Sequence, residues 1–142
     1  MKKYWIGLLL LLYGSLLVAM SVFKSAEFLL EYLYQLEDYF GGDKQMHLKL
    51  AAMLSILGCF AAERVLDLAR LKRVVLVVGL ASVFLTIDEG IQYVLDSRRF
   101  EFEDLAYGIA GLMLGCLGYL IFDVAKGVVR RLLSYRAADE RS

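Results

Sequence analysis

The sequence predicts an all-α membrane protein: four transmembrane helices, both termini cytoplasmic, with an amphipathic interfacial helix on the outer face between spans one and two. Three observations lead there. Hydrophobic residues make up 60% of the 142 residues, above the roughly 45–50% usual in soluble domains. A soluble chain of this length buries only about two-thirds of its surface and has nowhere to hide the excess. The apolar residues fall in long runs, and the chain has no proline to break a helix. The 16 Lys and Arg balance the 16 Asp and Glu overall, yet they are divided unevenly among the segments between the runs. Length and patterning give one domain, 1–142. Composition excludes a disordered chain, a disulfide-stapled scaffold and a strongly basic nucleic-acid binder.

The first span is expected at about 4–23, twenty residues without a charge behind Lys2 and Lys3. That matches the ~20 residues that cross a hydrocarbon core. It exceeds the ~7–15 apolar residues of a signal peptide, so an uncleaved anchor is expected. An interfacial helix follows at about 25–40. Glu27, Glu31, Gln35 and Asp38 recur at helical steps, with Phe28, Leu29, Tyr32, Leu33, Leu36, Tyr39 and Phe40 on the remaining surface. Gly41-Gly42 ends it. The second span is expected at about 46–62, the third at 74–95 and the fourth at 105–122, followed by a basic tail at 124–142.

Four spans put both termini on one side, and Lys/Arg counts in short loops choose the side. With the N-terminus inside, eleven cations fall on inner segments. Only Lys24, Lys44, Lys49, Arg98 and Arg99 fall outside. The acids run the other way, five inside and eleven outside. Both termini are therefore expected in the cytoplasm, with the tail as a topology anchor.

This topology gathers polar residues at one level. Asp43, Lys44 and His47 open span two; Asp88, Glu89 and Gln92 close span three; Arg98 and Asp104 flank the entry to span four. Charges at a membrane boundary are costly unless paired or hydrated, so they mark a candidate ligand-binding pocket. Asp43 and His47 are four apart, as are Asp88 and Gln92, and so share helix faces. Asp43 also suits an N-cap, and His47, the one histidine in the chain, suits a structural hydrogen-bonding role. Asp104, Gly108, Gly111, Gly115 and Gly118 form a seam at steps of four, three, four and three, where small residues let helices approach. His47, Ala51, Ser55, Gly58 and Ala62 form a similar seam on span two. Cys59 and Cys116 each lie twelve residues into their spans and read as small hydrophobes. There is no phosphate-cradling loop, nucleophile elbow or multi-Cys/His zinc pattern.

The ordered set Asp43-Lys44-x-x-His47, Asp88-Glu89-x-x-Gln92, Arg98, Asp104, Gly111 and Gly115 resembles the VanZ-like family over about residues 43–118. The chain departs from that family's pattern at Gly108, Ala51 and Ile91, and reads Asp96-Ser97-Arg98 where the family usually has proline-glycine before the arginine. The resemblance implies a small bacterial multi-pass protein of the cell envelope, located in the bacterial cytoplasmic (inner) membrane. Some family members are associated with resistance to the glycopeptide antibiotic teicoplanin.

Three functional expectations follow. The first is a non-catalytic protein whose pocket (Asp43, Lys44, His47, Asp88, Glu89, Gln92, Arg98, Asp104) binds membrane lipid, a lipid-linked glycan, a cell-wall precursor or a glycopeptide-like ligand. The second is an intramembrane enzyme acting on a lipid-linked glycan or phosphate. There Asp43, His47, Glu89 and Asp104 would hold a metal, Mg²⁺ or Mn²⁺ by donor type, with Glu89 as general base and His47 as the other candidate catalytic residue. The third is an ion-coupled carrier or scaffold, which so few spans would support only as a homo-oligomer joined through glycine-rich seams. The first expectation requires no cofactor, and none of the three involves nucleic acid.

Overall fold

The computed structural model describes residues 4–94 and 101–139. Five α-helices account for nearly all of them: α1 (Trp5–Ser25), α2 (Leu30–Phe40), α3 (Asp43–Val65), α4 (Arg70–Val94) and α5 (Phe102–Asp139). Three are long and apolar enough to cross a membrane: Trp5–Ser25, Arg70–Gln92 and Phe102–Ala137. The third helix, α3, is not among them; it carries Asp43, Lys44, His47 and Lys49 in its first two turns and Glu63 and Arg64 in its last.

Packing explains why α3 tolerates those residues. It is the central helix, in contact with α1, α2, α4 and α5. It buries Met46, Ala51, Ser55, Gly58, Cys59, Ala61 and Ala62, whereas α1 buries none of its residues. A helix surrounded by helices needs small residues at its contacts rather than a greasy outer surface.

Side-chain contacts give the helix directions. Lys24 reaches Asp43, and Tyr13 donates to the carbonyl of Leu50 at 2.9 Å, so α1 and α3 are antiparallel. Gly58 meets Val77 while Ala51 clusters with Ala81, and Gly108 meets Leu85 while Leu112 joins the same cluster, so α4 runs antiparallel to both α3 and α5. The last two neighbours, α3 and α5, are therefore parallel. A Cβ on Gly111 would overlap the Leu48 carbonyl, and one on Gly115 would overlap Ser55 Oγ and the Ala52 carbonyl. Further along the same pair, Cys59 and Cys116 place their sulfurs 3.6 Å apart. Phe60 and Tyr119 then stack edge to face at 5.2 Å.

Gly118 lies outside this seam. It is exposed, and nothing comes within 4 Å of the position a Cβ would take. The bulky Phe60–Tyr119 pair fills the contact at that level, so small residues are not needed there.

The segment between α1 and α2 departs from the expected 25–40 helix. Glu27 and Leu29 adopt left-handed φ values of 55° and 57°, which breaks the helix and delays α2 to Leu30. The break costs about 1–2 kcal/mol per non-glycine residue. Phe23 and Phe28 brace it, edge to face at 5.5 Å. Glu27 therefore leaves the polar stripe, while Glu31, Gln35 and Asp38 remain exposed on α2. Leu33 and Glu37 turn inward and are buried. Gly41 closes α2 at φ 93°, its N–H and that of Gly42 bonding to the carbonyls of Asp38 and Glu37.

The basic tail is helical. The last helix continues without interruption to Asp139, 38 residues in all, or ~57 Å at 1.5 Å per residue.

Candidate functional site

The C-terminal ends of α1 and α4 and the N-terminal ends of α3 and α5 meet at one end of the bundle, with α2 beside them. Most of the polar residues singled out in the sequence converge there, in three groups.

The first group contains Asp43, His47 and Asp104. One ligand atom from each lies within 4.8 Å of the others. Asp43 and His47 stand one turn apart on α3, and Asp104 is supplied by α5. Asp43 is the first residue of α3 rather than its cap; Gly42 occupies the cap position, and no side chain caps it. The Asp43 carboxylate turns instead to Lys24 Nζ at 2.9 Å and His47 Nε2 at 3.6 Å. These neighbours, His47 first and Lys24 second, hold the Asp43 carboxyl well below the usual carboxylate range against the opposing effect of burial. Asp104 is 5% exposed. Its Oδ1 is fully enclosed and has no hydrogen-bond partner among the described residues.

Lys24 links this group to α2. Its ammonium bridges Glu37, at 2.5 Å, and Asp43. Neither Lys24 nor Glu37 stands out in the sequence. Lys24 reads as the end of an apolar run, and Glu37 falls off the i, i+4 stripe of α2. The left-handed turn at Glu27 and Leu29 is what folds α2 back over α3 and brings Glu37 to Lys24.

The second group lies on the last turns of α4. Gln92 Nε2 donates to Asp88 Oδ2 at 3.0 Å, and Ser21 Oγ of α1 donates to Asp88 Oδ1 at 2.6 Å. Glu89, 3% exposed, accepts the Glu101 N–H at 3.1 Å. It is not part of the three-residue metal-like group, so the expected four-ligand set Asp43, His47, Glu89 and Asp104 reduces to three. Glu89 instead closes the approach to α5.

The third group is exposed. Lys44 pairs with Glu103 on α5, away from His47, so this lysine staples two helix ends and does not join the buried cluster. Arg98 lies outside the described residues.

The opposite end of the bundle carries a charge cluster that the sequence reading treated only as an anchor. Glu63 accepts from Lys126 at 2.9 Å and from the Tyr119 hydroxyl at 3.3 Å. Asp123 pairs with Arg70 at 2.7 Å and with Lys126 at 3.6 Å. Among the described residues its carboxylates are all paired, and the buried orphan at this end is a donor, Arg73 Nε, rather than an acceptor like that of Asp104. A shallow apolar depression lined by Leu68, Leu71, Val75 and Leu76 lies at this same end, well removed from Asp104.

Compared with known protein families, curated proteins and solved structures, the chain matches none.

Proposed function

We propose that this chain is a four-span membrane protein of the bacterial envelope with both termini cytoplasmic. In this reading the end of the bundle holding Asp43, His47 and Asp104 faces outward and binds the head group of a lipid-linked envelope component. The observation that carries the binding role is the enclosed, unpartnered oxygen of Asp104 beside His47 and Asp43. A buried acceptor without a donor costs about 1–3 kcal/mol, more when charged, which a ligand would recover. Asp43, Asp88, Glu89 and Asp104 are acceptors, so the favoured head group is rich in donors: sugar hydroxyls or an amine. A glycan or amino sugar on a lipid fits that description. The VanZ-like resemblance, with its link to glycopeptide ligands, agrees with this reading and rests on the motif residues alone.

Four spans are supported by the antiparallel registers. One end of α3 is tied to α1 through Asp43 and Lys24, the other to α5 through Glu63 and Lys126. At 23 residues, or ~35 Å, α3 covers the same thickness as its apolar neighbours. The exposed Tyr32, Tyr34 and Tyr39 of α2 suit the headgroup layer.

The test is mass spectrometry of lipids retained by detergent-purified protein. Wild type is expected to retain a glycan-bearing lipid that His47→Ala and Asp104→Ala lose at equal protein yield. Identical lipid content in all three would sink the reading.

A further inference from the structure

We propose that Asp43, His47 and Asp104 form a site for one divalent first-row transition-metal ion. The three donors come from two parallel helices, and their ligand atoms lie within 4.8 Å of one another. Metal–ligand bonds of about 2.0–2.2 Å place opposed donors up to ~4.4 Å apart. Three donors cannot all be opposed, and tetrahedral ones stand about 3.3–3.6 Å apart; His47 Nε2 and Asp43 Oδ1 are already at 3.6 Å, so closure falls to the Asp104 side chain, by up to about 1.5 Å.

The second observation is independent of that spacing. Asp104 is 5% exposed, and its Oδ1 is sealed with no hydrogen-bond partner among the described residues. Native structures rarely leave such an atom without an explanation, and an unplaced ion is one of the standard explanations. The local charge agrees. Glu37, Asp43 and Asp104 bring three carboxylates together, while Lys24, already shared by Glu37 and Asp43, is the one ammonium in that ion-paired group. The remaining two negative charges match one divalent cation.

The donor set selects the ion. With Glu89 out of the set, the Mg²⁺ expected from the sequence gives way: two carboxylates and one imidazole are a poor home for Mg²⁺ or Ca²⁺, which take all-oxygen shells, and suit Mn²⁺ or Zn²⁺. The register of the site is also fixed. Leu48, the residue after His47, packs its carbonyl against Gly111, two turns beyond Asp104. Three protein ligands leave at least one coordination position open.

This inference rests on the head-group reading of the same bundle end and refines it: the ion satisfies the Asp104 oxygen and leaves its open coordination position to the head group, so its test contains no lipid or glycan. The full chain is purified in detergent, stripped with EDTA, and titrated with Zn²⁺, Mn²⁺ and Mg²⁺ chlorides while thermal unfolding is followed. Zn²⁺ or Mn²⁺ is expected to raise the midpoint of wild type, and Mg²⁺ at equal concentration to leave it in place. Asp104→Asn and His47→Gln are expected to weaken the response at least tenfold, and Lys44→Gln to preserve it. If one ligand variant does not fold, the other and Asp43→Asn carry the comparison. An absent response in wild type, an equal response to Mg²⁺, or a response undiminished in the ligand variants overturns the proposal. Any of these outcomes leaves the lipid-retention experiment free to succeed or fail independently.

Discussion

The Asp104 carboxylate of α5 and the His47 imidazole of α3 lie within 4.8 Å of each other, although 57 residues separate them in the chain. Helix directions account for this: α3 and α5 are parallel, so both contribute their first turns to the same end of the bundle. Lys24, from the last turn of α1, completes the group by holding Asp43 and Glu37 together.

Lys24 is expected to matter more for stability than an ordinary surface lysine. Its side chain is 18% exposed and that of Glu37 10%. Lys24→Met leaves two half-enclosed carboxylates without their cation. Breaking a fully buried pair costs about 3–5 kcal/mol; here, with residual solvent, about 2 kcal/mol is expected. Chemical unfolding in mixed micelles measures it. The double variant Lys24→Met/Glu37→Gln should recover part of the loss, because it removes one stranded charge.

Asp43 gives a pH signature. Its carboxyl is held below its unfolded value near 4. A depressed carboxyl adds stability that is complete above the unfolded pKa and is lost as pH falls through the folded one. The difference in thermal midpoint between wild type and Asp43→Asn should thus be full from about pH 5 up to the pH at which His47 loses its proton, and shrink on acidification toward pH 3. A difference that grows on acidification would contradict the assigned environment.

The glycines of α5 should separate into two classes. An added Cβ at Gly111 or Gly115 meets backbone carbonyls of α3, and carbonyls cannot rotate aside as a flexible side chain can. Gly115→Ala is expected to cost at least about 1–3 kcal/mol, as overpacking does. Gly118→Ala should be neutral or stabilising by up to about 1 kcal/mol through helix propensity. Paired unfolding measurements of the two variants check the contrast. Because Gly111 and Gly115 are covered by α3 within the chain, they offer no free seam to a second copy.

Much of this arrangement is legible in the sequence because its signals are periodic. The apolar runs give the helices, and the small-residue steps mark the α3–α5 contact. Placing Asp43, His47 and Asp104 at one level needs only an alternation of direction from helix to helix. What the sequence conceals depends on local backbone geometry. The left-handed turn at Glu27 and Leu29 has no glycine to announce it, so α2 reads as starting too early, and the inward rotation of Glu37 is lost. Glu89 and Asp104 share a level, but side-chain direction separates them: Glu89 turns to the Glu101 N–H. Lys44 stands next to Asp43 in sequence, yet the 100° step of a helix sends it to Glu103.

Cysteine chemistry offers a direct check on the parallel pairing. Cys59 and Cys116 are buried and free, with sulfurs 3.6 Å apart. A disulfide brings sulfurs to about 2.05 Å, so bonding requires a shift of about 1.5 Å across a tight seam. A membrane-permeant oxidant should therefore join them within one chain, producing a faster-migrating monomer on a non-reducing gel and no dimer. Gly115→Leu, which wedges the helices apart one residue before Cys116, should abolish that product. Cross-linking between chains instead would place the pair at an oligomer contact and remove the packing described for α3 and α5.

The crossing of α3 is the last expectation, and the one on which the membrane reading turns. Length and composition mark three helices, and an odd number of crossings would put the termini on opposite sides. The contacts of α3 argue for a fourth crossing, since Asp43 and Glu63, near its two ends, are tied to opposite ends of α1 and α5. Tyr39, 86% exposed on α2, and Tyr135, 76% exposed on α5, are suitable reporter positions that disturb no packing. In a background with Cys59 and Cys116 replaced by alanine, Tyr39→Cys should react with an impermeant maleimide on intact cells. Tyr135→Cys should react only after permeabilisation. Two further single-cysteine variants, Tyr4→Cys, just before α1, and Leu71→Cys, near the N-terminal end of α4, should follow Tyr135→Cys. If Leu71→Cys is labelled from outside while Tyr4→Cys is not, α3 does not cross. The polar end of the bundle would then have to be reassigned relative to the membrane.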